Sequence, residues 1–422
     1  MRILHTSDWH LGRTLHGVDL LTHQAAYLDH LVEVVRAEAV DAVVVAGDVY
    51  DRAVPPVEAV TMLGEALTRI SEHAPVVVTP GNHDSAIRLG FGASLMRDGV
   101  HLRARVADVG RPVELVDPTD GAPVLVYALP YLDPDAVRRE LADGDGAQDR
   151  AADDDRGALL PGSSVPLLPR SHEAVMSAAM RRVRRDLGSR QAASGTRLRS
   201  VVMAHAFVVG GQASDSERDI RVGGVDSVRA GVFEGVDYVA LGHLHGRQRL
   251  TFPARPDAQI LGRPTPELHY SGSPLAYSFS EKNHRKASLL VALGPDGDVT
   301  VDAVEAPVPR RLAEVEGTLE DLLGPAGEPH LDHWVRVVVT DHARPADLYA
   351  RVKDRFAHAL TVEHRPADRA ERRHAAVVTS ASDPRQVAAE FVEHVTGAAP
   401  TPEELDVLRR AYEHVLAGER SA

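Results

Sequence analysis

The run Val43-Val44-Val45-Ala46, ending in Gly47-Asp48, constrains this chain more than any other stretch. An unbroken run of β-branched residues reads as a strand buried on both faces, the mark of a parallel sheet covered by helices. In open α/β sheets, ligands sit just beyond the carboxyl ends of the strands. Gly47 allows a tight turn and a close backbone approach to whatever Asp48 holds. Other strand-like runs end the same way, in Asp, Asn or His, so Asp48 stands where one carboxylate would bridge two metal ions.

Metal chemistry in this chain must use His, Asp, Asn and water, because cysteine is absent. That absence excludes disulfides and thiolate sites and fits a reducing cytoplasm. The Arg2-Ile3-Leu4-His5 opening is expected to enter a strand at once, and no signal peptide is expected ahead of it. No apolar run approaches the ~20 residues that span a bilayer. With 47 basic against 61 acidic residues, the formal charge is −14. Such a chain does not coat DNA by bulk electrostatics. A nuclease is still allowed, since bound divalent ions and local Arg clusters reverse the field at one site. At 4% aromatics, a base-stacking platform is a poor fit.

At 422 residues, two or three domains are expected. A strand at 2–7, a helix over about 20–39, the Asp48 strand, a helix over about 56–71 and a strand over 75–79 form a β-α-β-α-β start. A helix over 85–97 and a strand over 124–127 follow. Residues 142–170, with Asp143-Gly144-Asp145-Gly146 and Asp153-Asp154-Asp155, read as a flexible acidic insertion. A helix over 171–187 carries Arg181, Arg182, Arg184 and Arg185, a cluster read as a solvated face rather than a DNA contact. Strands over 199–204 and 237–241 follow, then antiparallel strands at 267–271 and 287–304. The expected fold class is α/β, an α+β sandwich of two sheets face to face with helices outside. The expected domains are a core (1–306), a small β-α-β cap (307–382) and C-terminal helices (383–422). The last helix, over 401–416, shows one apolar stripe of Leu405, Leu408, Ala411, Tyr412, Val415 and Leu416.

Five motifs sit at strand ends: Asp8-x-His10, Gly47-Asp48, Gly81-Asn82-His83-Asp84, His205, and Gly242-His243-x-His245. In a strand, residues i and i+2 point the same way, so Asp8/His10 and His243/His245 are each expected to present two ligands to one spot. Imidazole, carboxylate and amide donors suit Mn, Fe or Zn more than Ca. Two divalent ions against Asp8 and Asp48 leave a positive residue, which attracts a phosphate diester. Each motif alone is a common turn or a structural histidine. Together, in this order, they point to one two-metal site.

With these motifs the chain resembles the calcineurin-like metallophosphoesterase superfamily. Within it, the chain is similar to the SbcD family, the nuclease subunits of bacterial SbcC–SbcD complexes, related to the double-strand-break repair nuclease of archaea and eukaryotes. The likeness extends over nearly the whole chain. It rests also on His5-Thr6-Ser7-Asp8-Trp9-His10-Leu11-Gly12, on Gly47-Asp48-Val49-Tyr50-Asp51 with Pro55-Pro56, on Asp237 to His245, and on Tyr270-Ser271-Gly272-Ser273-Pro274. The Ser-Gly-Ser-Pro turn and the Asp215–Gly223 segment are the features particular to this subgroup. The acidic insertion departs from the family pattern but touches no motif.

The resemblance implies that Asp8, His10, Asp48 and His245 hold one metal, and Asp48, Asn82, His205 and His243 the other, Mn²⁺ in both. It implies that His83 points away from the metals and either protonates the leaving 3′-oxygen or stabilises its developing charge, with Asp84 orienting its second nitrogen. Arg52, after Asp51, is a candidate DNA contact. The implied activities are 3′→5′ exonuclease on duplex ends and endonuclease on single strands or hairpins, in DNA end processing, repair and recombination. The implied assembly is a homodimer, through helices near 56–71 and 85–97, in a heterotetramer with an SbcC-like ATPase held by the C-terminal helices. Its expected place is the cytoplasm, at the nucleoid. The rivals are a phosphomonoesterase or cyclic-nucleotide phosphodiesterase on the same core, and a non-catalytic tether of DNA ends.

Overall fold

A computed structural model of the chain describes residues 1–96, 99–142, 167–217, 227–251, 265–308, 310–366, 386–389, 391–392 and 400–419. The acidic insertion and the helix expected at 384–396 lie for the most part outside the described residues. The chain divides into two units: Met1–Glu316 with Glu320–Val338 and Asp347–Glu363, and Gly317–Leu319 with Val339–Ala346 and His364–Ala422.

Every residue of the Ala42–Ala46 strand is buried, and alternation divides its side chains between two cores. Val43 and Val45 pack against Leu28, Leu31 and Val35 of the Leu21–Ala37 helix and Ala59, Leu63 and Leu67 of the Val57–Ser71 helix. Ala42 and Val44 face the other way, joining Val124, Val126, Val201, Met203 and Tyr238 of a second sheet. That second sheet turns Leu125, Tyr127, Val202, Val239 and Leu241 outward onto the Pro134–Ala142 and His172–Ser194 helices. The layers therefore run helix, sheet, sheet, helix, the α/β sandwich expected. Both central sheets are apolar on both faces because each is covered on both.

The first sheet has the order Val299–Glu305, Ala287–Leu293, Arg2–Thr6, Ala42–Ala46, Val76–Thr79, Val100–Leu102, with the last four parallel. The second has the order Gln248–Leu250, Glu267–Tyr270, Tyr238–Gly242, Arg199–His205, Pro123–Ala128, Val113–Val116, its middle four parallel. The Glu267–Tyr270 strand thus corrects the antiparallel expectation on one side: it runs parallel to Tyr238–Gly242 and antiparallel only to Gln248–Leu250. Its alternating Glu-Leu-His-Tyr pattern satisfies either direction. The helix expected over 85–97 is cut to Ala86–Leu89, because Gly90 caps it and Gly92 takes a φ of +76°.

Beyond the sandwich, Leu312–Gly317, Trp334–Val339 and Ala359–His364 form a three-stranded sheet with the Trp334 strand in the middle. Leu312, Trp334 and Leu360 pack with Leu15, Leu20, Leu275, Tyr277 and Phe279. The Leu348–Arg355 helix anchors through buried Leu348 and Val352. The Pro402–Glu419 helix opens on a reciprocal cap, Thr401 N–H to Glu404 Oε2 at 2.8 Å and Glu404 N–H to Thr401 Oγ at 3.3 Å. No helix among the described residues is long and apolar enough to cross a membrane.

Candidate metal centre

The carboxyl ends of five parallel strands supply the site. Asp8 and His10 follow Arg2–Thr6, Asp48 follows Ala42–Ala46, and Asn82, His83 and Asp84 follow Val76–Thr79. From the other sheet, His205 ends Arg199–His205, and His243 and His245 follow Tyr238–Gly242. The i, i+2 strand geometry expected for the Asp8/His10 and His243/His245 pairs does not hold. Asp8, His10, Asp48 and His243 have φ of +54°, +45°, +48° and +105°, in left-handed turns beyond the strands. Each such residue costs about 1–3 kcal/mol and persists only where its surroundings hold it. Here Asp8 N–H donates to Gly47 O (3.0 Å), His10 N–H to Asp48 O (2.9 Å) and His243 N–H to Asp8 Oδ1 (3.0 Å). The two sheets meet through glycine. A Cβ on Gly242 would lie 1.8 Å from Ala46 O, and one on Gly47 2.3 Å from His205 Nδ1.

Two sets of donor atoms converge. Asp8, His10 and His245 place ligand atoms within 4.8 Å of one another, as do Asp8, Asp48 and His205. His10 Nε2 and His245 Nε2 are only 3.0 Å apart, and His10 Nε2 is 3.6 Å from Asp48 Oδ2. Two imidazole lone pairs at that distance repel unless a proton or a cation lies between them. On the other side, Asn82 Oδ1 is 2.9 Å from His205 Nε2 and 3.3 Å from His243 Nδ1, with Asp48 Oδ2 3.5 Å from His205 Nε2. His205 Nδ1–H donates to Ala46 O (3.0 Å), so Nε2 is its ligand atom. These nitrogen and oxygen donors are of the kind that hold divalent ions, and Asp8 and Asp48 both stand between the two groups.

Charge follows burial and neighbours. Burial pushes Asp8 up to about 6. Burial opposes ionisation of Asp48 too, but His205, His10 and His83 hold its carboxylate well below the usual range. Burial disfavours a charged His205, yet Asp48 and Asp8 push it up to about 9, while burial holds His10 and His243 well below the ordinary imidazole value. Without metal, the centre is therefore organised around an Asp48⁻–His205⁺ pair. A raised folded-state pKa contributes stability that is full below the unfolded value of 6.5 and is lost as pH rises through about 9. Chelated protein should therefore lose melting temperature between pH 6.5 and 9.5, and metal-loaded protein should not, because the ion replaces the proton. Thermal melts in each state across that range check this.

His83 does not turn away from the centre as expected. Its Nδ1 donates to Asp51 O (2.7 Å), and its Nε2 faces Asp48 Oδ2 at 3.9 Å, its ring 4.7 Å from that of His10. The orienting role expected of Asp84 thus falls to the Asp51 carbonyl. The Asp84 carboxylate instead accepts from the amides of Val49 (3.0 Å), Tyr50 (2.9 Å) and Gly81 (2.8 Å), pinning the Asp48 turn to the Asn82 turn. Arg52 is exposed on the loop after Asp51. The Arg181–Arg185 cluster is not a wholly solvated face: Arg184 Nη1 donates to Val232 O (3.0 Å) and Arg182 Nη2 to Glu140 O (2.7 Å). Sequence reasoning missed Arg13, whose guanidinium lies 4.9 Å over Tyr277 and 3.6 Å from Asp51 Oδ1, and the polar groups behind His245. Arg13 directly follows the His5–Gly12 motif, while Ser216 and Glu217 lie within the Asp215–Gly223 segment and Ser273 within the Tyr270–Pro274 turn, but none of these motifs showed the role.

The calcineurin-like phosphoesterase family matches residues 1–247, and the type 5 capsule protein repressor C-terminal domain matches residues 308–396. The D subunit of the nuclease SbcCD from Bacillus subtilis (strain 168) is 34% identical over 304 residues, covering 71% of this chain and 68% of that protein. Among solved structures, TT1561 of Thermus thermophilus is 12% identical with a TM-score of 0.35, covering 72% of this chain and 98% of its own. GAP50, the anchor in the inner membrane complex of Plasmodium, is 8% identical with a TM-score of 0.37, covering 72% of this chain and 84% of its own.

Proposed function

This chain belongs to the calcineurin-like phosphoesterase family and, within it, to the SbcD family, and from that premise we propose that it is a Mn²⁺-dependent DNA nuclease subunit. The family uses divalent metals. The activities proposed are 3′→5′ exonuclease on duplex ends and endonuclease on single strands or hairpins, in DNA repair and recombination. One observation carries the reading: Asp48 Oδ2 lies 3.6 Å from His10 Nε2 and 3.5 Å from His205 Nε2, with His83 Nε2 facing the same oxygen at 3.9 Å. When bound, two divalent ions would activate a water and neutralise the phosphate. The chain supplies the rest. Asp48, Asp8, His10 and His245 would hold one ion, and Asp48, Asn82, His205 and His243 the other. Asp51 O fixes the His83 ring so that Nε2 can hand a proton to the leaving oxygen. Asp84 keeps the turns bearing Asp48 and Asn82 in register.

Cleavage of an end-labelled blunt duplex in Mn²⁺, with and without an SbcC-like ATPase, tests the proposal. Products shortening from the 3′ end support it. Hydrolysis of an aryl phosphate with no DNA cleavage in either condition would move the assignment to a phosphomonoesterase.

The proposed assembly is a homodimer joined to the ATPase. Ile87, Phe91 and Leu95 are 87%, 84% and 81% exposed, and Val54 and Val57 are exposed beside them, the two segments tied by Arg88 Nη1 to Ala53 O at 2.9 Å. Large apolar side chains clustered in this way mark an interaction surface. Ile87→Asp with Phe91→Asp should convert the dimer to a monomer with its fold intact, as read by light scattering and circular dichroism; an unchanged mass would remove this surface from the dimer. For the ATPase contact, the proposed element is the Pro402–Glu419 helix, where Leu405 remains exposed.

A further inference from the structure

His245 is held by more side chains than any other ligand of the centre needs. Its Nδ1 lies 2.6 Å from Ser216 Oγ, and Ser216 Oγ donates to Glu281 Oε1. Glu281 Oε2 accepts from Lys286 Nζ, which also donates to His245 O (3.0 Å) and Ser273 Oγ (2.8 Å). Glu217 Oε1 accepts the His245 amide at 2.8 Å. Ser216, Glu281, Lys286 and His245 are all buried.

The direction of this chain is forced. Lysine has three donors and no acceptor, so Glu281 accepts from it. Glu281 Oε1 also takes the Tyr277 amide at 3.2 Å, so it acts as an acceptor toward Ser216 as well. The one hydroxyl proton of Ser216 therefore points at Glu281, and its lone pair faces His245. Nδ1 of His245 must then carry the proton, leaving the lone pair on Nε2, the atom 3.0 Å from His10 Nε2.

We propose that Ser216 and Glu281, backed by Lys286, are positioning residues that fix the tautomer and angle of His245 and thereby set the affinity of one metal position independently of the other. The inference rests on the two-metal reading of the centre. The asymmetry is built into the fold. On the far side, His205 Nδ1–H is fixed by a main-chain carbonyl, Ala46 O, and no side chain intervenes. On the near side, three side chains from two distant segments do that work. Ser216 is itself tethered through its carbonyl to Arg13 Nη2 (2.9 Å), which ties the relay to the loop bearing Asp51. A buried Lys–Glu pair adds little net stability against an apolar replacement, so its use here is better explained by specificity. Orienting groups behind a metal ligand are commonly worth about 10–100-fold in metal affinity.

Mn²⁺ titration calorimetry on metal-stripped wild-type protein, Ser216→Ala and Ser216→Thr tests this, with melting curves in chelator to compare folding. The wild type should show two sites. In Ser216→Ala one site should weaken by about 10–100-fold and the other stay within about twofold. Ser216→Thr, which keeps the hydroxyl, should restore it. Electron paramagnetic resonance should show isolated Mn²⁺ in Ser216→Ala at concentrations where the wild type shows a coupled pair. Two unchanged sites in Ser216→Ala, equal weakening of both, or a threonine variant that behaves like alanine would each overturn the inference. A wild-type protein that binds no pair of ions would overturn the two-metal reading and this inference with it.

Discussion

Asp48→Ala should lose phosphoester cleavage by more than about 10³-fold, given that a single oxyanion donor alone is worth ~10²–10³. The carboxylate lies between His10 and His205: its Oδ2 is 3.6 Å from His10 Nε2 and 3.5 Å from His205 Nε2, and its Oδ1 accepts the His83 amide at 2.9 Å. Removing it takes a ligand from each metal position at once. The fold should survive. Asp48 lies past the end of its strand, and the Ala42–Ala46 side chains that build two cores are untouched. The unmet His83 amide costs about 1–3 kcal/mol against a typical stability of about 5–15 kcal/mol. Circular dichroism, Mn²⁺ stoichiometry and a duplex cleavage assay measured together are the check. Full activity in the variant would end the shared-ligand assignment.

His83→Ala should lower kcat by about 10²–10⁴-fold, the usual worth of a general acid, while both Mn²⁺ ions stay bound. The two halves of that statement separate two roles that geometry alone brings close together. His83 Nε2 faces Asp48 Oδ2, and His10, Asp48 and His83 place ligand atoms within 4.8 Å of one another, close enough for a ligand. Its other nitrogen is committed to Asp51 O, and the proposed metal positions draw their donors from other residues. A variant that binds one Mn²⁺ fewer would make His83 a ligand. A leaving group of low pKa needs less protonation, so an activated aryl diester should recover most of the lost rate.

Much of this site was legible because each ligand stands where an apolar run stops. Val43 to Ala46 before Asp48, Val76 to Thr79 before Asn82, and Val239 to Leu241 before His243 are all patterns that a parallel sheet imposes on a sequence. How the ligands are aimed was not legible. Strand alternation would have paired Asp8 with His10, whereas both sit in left-handed turns held by Gly47 O and Asp48 O, acceptors about forty residues away in the chain. The helix expected over 85–97 ended at two glycines whose effect depends on their conformation. The relay behind His245 was not legible as a relay: Ser216 stands in the Asp215–Gly223 segment, but it meets partners 29 and 65 residues distant, and nothing local marks a serine for that use. Arg184 read as a surface cation because its acceptors are carbonyls, which no sequence pattern displays.

Each proposed metal position draws its residues from both sheets, Asp8 and His10 facing His245, and Asp48 and Asn82 facing His205 and His243. On the proposed reading the ions would act as rivets across the sandwich as well as reagents. Neither half of the chain can form either position alone, so a bound pair reports that the sheets have closed on each other in register. Metal that binds only the closed state would stabilise that state by mass action, by about 2.7 kcal/mol at a hundredfold excess over Kd. A cell short of the metal would hold a less robust protein as well as a slower enzyme.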